Sequence, residues 1–197
     1  MKNNFLLRVL IGMVISIASA TFFVFAQTET QLKKSIDTKA IEKIRDCSMK
    51  GDLNMVISEA NTYLNSDPNN IEVLTRLAES YLMNGDLLSA EKNIKKALDI
   101  DSKNAWSLRV SAGIYKTQYE KETEVVLKNK YLDLALIQVQ KALTSSLDDP
   151  VVNVTAAEIY FYKNDKTKAM QAMKSTNASI QSTEHFKELN EKIKSMP

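Results

Sequence analysis

Residues 71–104, IEVLTRLAESYLMNGDLLSAEKNIKKALDIDSKN, decide the fold. Leu74, Leu77, Ala78 and Tyr81 stand at i, i+3, i+4 and i+7, which is one face of a helix with 3.6 residues per turn. Asn84-Gly85-Asp86 interrupts that face, and Gly just past the last apolar position is a helix stop. Ala90, Ile94 and Ala97 then stripe a second helix that ends before Asp101-Ser102. Ala78, Ala90 and Ala97 are small, so the two helices can pair at close approach.

The same spelling recurs at a fixed spacing on both sides. Gly51-Asp52-Leu53 returns as Gly85-Asp86-Leu87, and Leu74, Ala78 and Tyr81 return as Leu108, Ala112 and Tyr115, a period of about 34 residues. Beyond Tyr115 the shift becomes 45, taking Ala90 to Ala135 and Ile94 to Val139; Ala135 to Ala169 and Val139 to Met173 restore the first period. The chain therefore carries a regular repeat with eleven extra positions in its third copy, the mark of a stacked-repeat protein. The insertion, Gln118 to about Lys128, is charged. Added helix of that length makes nearly three turns and keeps both faces in phase, so it reads as a lengthening of both helices, with a solvated loop as the alternative.

This pattern resembles the tetratricopeptide-repeat family. Residues 71–104 carry the resemblance in Leu74, Leu77, Ala78, Tyr81, Ala90, Ile94 and Ala97, with Ser102 in place of the usual Pro. Residues 105–149 keep Leu108, Ala112, Tyr115, Ala135, Val139 and Ala142; residues 150–183 keep Ala156, Ala157, Tyr160, Ala169 and Met173. Residues 37–70 match least, with Cys47 at the Tyr position and Val56 at an Ala position. The resemblance implies an all-α, right-handed solenoid of about four helix-turn-helix repeats over 37–183. A last amphipathic segment, 184–197, with Phe186, Leu189 and Ile193 on one face, reads as a capping helix.

The N-terminus has a different composition. Residues 1–26 hold Lys2, Arg8 and no acid, so the formal charge of +2 on the 197-residue chain comes from them and the rest is neutral. A neutral body gives no support to nucleic-acid binding. Val9–Ala26 is an uncharged, largely apolar run ending in small residues, which reads as a signal peptide cleaved after Ala20 or Ala26, or as an uncleaved membrane anchor. Either expectation puts the body outside the cytoplasm, periplasmic or secreted, with 27–36 as a polar linker and a possible membrane association through the N-terminal segment.

One Cys and one His leave no disulfide, no Cys-cluster metal site and no second imidazole. No phosphate loop or nucleophile motif is present, so neither a cofactor nor a catalytic role is expected. Cys47 reads as a core thiol and His185 as a surface residue; the Asn153 and Asn177 sequons read as chance matches in a bacterial protein. What remains is binding. The resemblance implies that the first helix of each repeat lines a concave groove. It places there Arg45 with Ile41 and Met49; Glu79, Leu82 and Met83 with Glu72 and Thr75; Trp106, Arg109 and Lys116; and Glu158, Phe161 and Tyr162 with Val151 and Val154. Trp106, Arg109, Phe161 and Tyr162 are the residue types that anchor interfaces, although packing on the preceding repeat is an alternative for Trp106. The basic clamp with which some family members hold acidic chaperone tails is absent, since Ile41, Thr75, Glu79 and Val110 occupy its positions. The expectation is an exported scaffold that binds a protein or peptide partner in its groove within an envelope or membrane-associated complex. The alternatives are a self-associating structural protein and a membrane-anchored adaptor that keeps its N-terminal helix.

Overall fold

The computed structural model describes the backbone of residues 2–146 and 149–197 and the side chains of residues 26–146 and 149–197. It divides into two units, Met1–Lys43 and Ile44–Pro197. Helix α1, Lys2–Met49, supplies all of the first unit's helix and ends within the second. Residues 27–36, expected as a polar linker, are helical and exposed. Among the described residues no helix is long and apolar enough to cross a membrane. The run 9–26, expected as signal or anchor, lies outside the described side chains except for Ala26.

The second unit is an all-α solenoid. After the end of α1 come α2 (Leu53–Tyr63), α3 (Ile71–Met83), α4 (Leu87–Ile100), α5 (Ala105–Lys121) and α6 (Val125–Ser145). They are followed by α7 (Pro150–Tyr162), α8 (Lys166–Lys174), the single turn α9 (Ala178–Gln181) and α10 (Glu184–Lys194). Within repeats α3 packs on α4, α5 on α6 and α7 on α8. Between repeats α2 packs on α3, α4 on α5, α6 on α7 and α8 on α10, while first helices touch each other, α3 with α5 and α5 with α7.

The sequence forces each break. Gly51 and Gly85 sit at φ +73° and +82°, a left-handed backbone that side chains rarely adopt, and Asn164 takes the same place in the last repeat at φ +57°. An Asp or Asn side chain then accepts a backbone N–H of the next helix's first turn: Asp52 from Met55, Asn70 from Val73, Asp86 from Ser89, Asn104 from Ser107, Asp165 from Lys168. Among the described residues of the third repeat no turn is left-handed. Its extra residues go to both helices, so that α5 and α6 have 17 and 21 residues where α3 and α4 have 13 and 14. Glu122 closes the short gap between them by accepting the N–H groups of Thr123 and Glu124 at 2.8 and 3.0 Å.

The striped residues form the core. Leu74, Leu77, Ala78, Ala90, Ile94 and Ala97 are buried, as are Leu108, Ala135, Val139, Ala156, Ala169 and Met173. Burying a Leu side chain is worth about 1.5–3 kcal/mol, so each repeat's apolar face supplies the drive to stack on the next. Cys47 is buried, and so is Asn153, whose amide donates to the carbonyls of Asp149 and Ser175. Phe186, Leu189 and Ile193 of α10 close the last repeat by packing into the cluster that holds Ala169 and Met173.

Candidate interaction groove

Side chains on successive first helices are tied across the repeat boundaries. Arg45, on the last turns of α1, donates from Nε and Nη2 to the two carboxylate oxygens of Glu72 on α3, both at 2.6 Å. Arg76 adds a bond of 3.1 Å to the same carboxylate and one of 3.3 Å to Ser48. The hydrogen bond from Arg45, reinforced by Arg76, holds the Glu72 carboxyl below the usual glutamate range. The Arg76 guanidinium also lies 4.7 Å from the centre of the Trp106 ring. Glu79 then joins α3 to α5, accepting from Trp106 Nε1 at 3.3 Å and from Arg109 Nη2 at 2.6 Å.

A second network joins α5, α7 and α10. Lys116 Nζ lies 3.1 Å from Glu158 and 3.9 Å from Glu120, and His185 Nε2 lies 2.9 Å from the other Glu158 oxygen. Tyr162 donates to Glu120 at 2.7 Å and its ring meets Tyr119 at 5.0 Å and Phe161 at 5.5 Å. Burial, followed by the Glu120 carboxylate, pushes the Tyr162 phenol well above its usual value. Glu188 and Lys192 of α10 line the same small cavity.

The structure brings most of the candidate residues into this row. Trp106, Arg109, Lys116, Glu79 and Glu158 serve as inter-repeat ties, and Trp106 packs on the preceding repeat. Phe161, Tyr162 and Leu82 are half-buried; Leu82 lies over Gly113, where an added Cβ would come within 3.3 Å of its Cδ2. Met83 is 67% exposed at the end of α3, and Val151 and Arg45 are exposed too. Thr75 is a correction: it is fully buried, with its hydroxyl 2.7 Å from that of Ser107, because a small polar side chain at this position fits between α3 and α5.

His185, Glu188 and Lys192 were not foreseen as members of the row. The signal was present, since α7 starts at Pro150 and α10 at Glu184, one full repeat further on. The capping helix stands where the first helix of a fifth repeat would begin. Among the described residues no group of His, Cys, Asp and Glu is placed to hold a metal ion.

Solved structures settle what the architecture is. A thermophilic tetratricopeptide-repeat protein from Thermus thermophilus overlays with a TM-score of 0.69 at 16% identity, over 81% of this chain and 80% of that one. The fold is that of a tetratricopeptide-repeat solenoid. The MamA protein gives a TM-score of 0.52 at 20% identity over 80% of this chain and 86% of its own. A tetratricopeptide-repeat protein from Parabacteroides merdae gives 0.56 at 19% identity, over 81% of this chain and 59% of that one. No protein-family model matches the sequence, and neither does any curated protein. In the tetratricopeptide fold, the ties described above run between consecutive first helices.

Proposed function

We propose that this chain is an exported scaffold without catalysis of its own, which holds a protein or peptide partner on the face formed by its first helices. The observation that carries the proposal is the row itself: Arg45, Glu72, Arg76, Trp106, Glu79 and Arg109, then Lys116, Glu158, Tyr162 and His185, are fixed by one another across every repeat boundary. A surface locked in this way loses little side-chain freedom when a partner arrives, which favours binding. Because those residues also hold the solenoid together, the contacts open to a partner are first Met83 and Val151, which tie nothing, and then the flanks of the Phe161 ring and of Tyr162, whose hydroxyl is held by Glu120.

Affinity capture from the source cells, comparing native chain with Met83→Asp, Val151→Asp, tests this. The double variant is expected to keep its helical content and lose the captured partner. Retention of the same partner by the variant contradicts the proposal.

A further inference from the structure

From the second repeat on, the second helices differ from the first in how they carry charge; α2 has no lysine and one carboxylate, Glu59. Helices α4, α6 and α8 hold three lysines each and no arginine, against the three carboxylates of Glu91, Asp99 and Asp133. Asp133 is bound to Lys163 at 2.6 Å. The outward arc of α4, opposite buried Ala90, Ile94 and Ala97, presents Leu88, Lys92, Lys95, Lys96, Asp99 and Ile100, all exposed, so that three lysines outnumber one carboxylate there. One repeat on, Asp133 (held by Lys163), Ile137 and Lys141 occupy the matching arc of α6, and Met170 and Lys174 extend it on α8. Among the described residues, Lys92, Lys95, Lys96, Lys141 and Lys174 take part in no ion pair, in contrast to the arginines of the first helices.

The apolar part of this surface is equally marked. Leu88 is 83% exposed and Ile137 46%, each one helical turn from a lysine. Val125 and Val126, also exposed, stand at the start of α6 where the lengthened hairpin turns.

We propose that the second-helix face docks on an anionic lipid surface. Unpaired ammonium groups are drawn to the negative surface potential of a bilayer, and each lysine near it raises partitioning about fivefold. The apolar side chains between them gain by entering the headgroup boundary. That second feature selects lipid over a nucleic acid, because a phosphate backbone offers isolated Leu and Ile side chains nothing in return. The proposal concerns a different surface from the partner-binding row and does not depend on it.

The test uses the full chain with an environment-sensitive fluorophore at Ile137→Cys, labelled under native conditions in which buried Cys47 is not reached. A second preparation carries the label at Met83→Cys. This design separates docking of the helix face from any insertion of residues 9–26, since each label reports only its own surroundings. On vesicles of phosphatidylglycerol and phosphatidylcholine the label at 137 is expected to shift to the blue and become shielded from iodide, while the label at 83 does not change. High salt should reverse the effect, and vesicles of phosphatidylcholine alone should not produce it. Reversing Lys92, Lys95, Lys96 and Lys141 to Glu should weaken docking by about a hundredfold or more. The salt reversal in the native chain stands even if that variant folds poorly. A label at 137 that stays water-exposed on anionic vesicles, responds equally to neutral ones, or is shielded equally by duplex DNA overturns the proposal.

Discussion

Glu79 is the side chain on which the boundary between the second and third repeats turns. Its two oxygens accept from Trp106 and Arg109, whose side chain is 17% exposed. Glu79→Ala leaves that guanidinium and the indole N–H without their acceptor. A hydrogen bond to a charged group is worth about 1.5–3 kcal/mol and a neutral one about 1 kcal/mol. The Glu79 side chain keeps about a quarter of its exposure, so water recovers part of both, and the expected loss is about 2 kcal/mol. For a unit of about 150 residues this corresponds to a fall in Tm of about 4–8 °C. Calorimetry on Glu79→Ala, Arg109→Ala and the double variant isolates the pair, with a coupling energy of about 1 kcal/mol expected. Additivity within about 0.3 kcal/mol would show that the tie contributes nothing and that apolar stacking alone holds the boundary.

Other outcomes follow from the same geometry. Ala90→Leu forces four-carbon bulk into a fully buried helix crossing and should cost about 1–3 kcal/mol by thermal denaturation, whereas Lys96→Ala should change little. Glu72 titrates lower in the folded chain than in the unfolded one, so its stabilisation is present above the ordinary glutamate value of 4.5 and disappears as pH falls through the lower folded value. The hydrogen-exchange protection factors of residues 44–49, corrected for the intrinsic pH dependence of exchange, should therefore fall in acid in the native chain, and Glu72→Gln should remove that pH dependence. A reporter fused after residue 36 should be active only outside the cytoplasm; activity inside would contradict the proposed export.

The repeat was legible in the sequence because burial imposes it locally. Ala78, Ala90 and Ala97 are small where helices cross, Gly51 and Gly85 stand where the backbone turns left-handed, and both constraints act within a single repeat. The ties were not legible, because they join residues whose separation acquires meaning only through the stacking geometry. Arg45 with Glu72, Glu79 with Trp106 and Glu158 with His185 are each 27 residues apart, one repeat less two helical turns. The resemblance implied ligand contacts at these groove positions; the structure adds that most of them also bind one another. Thr75 misled for a related reason, since only the closeness of α5 reveals that a hydroxyl there meets Ser107. His185 reads as a surface residue and is exposed, but its place in the row was missed because an amphipathic final helix reads as a cap; one repeat length counted on from Pro150 puts that helix in register as a first helix.

Binding along the first helices places a partner against Met83. A photo-crosslinking amino acid placed at Met83, and separately at Val126 on the lengthened hairpin, tests it in the source cells; both side chains are exposed. One protein should crosslink from position 83 and not from 126. Crosslinks to a protein from 126 with none from 83 would contradict it and move the binding surface to the projecting helices.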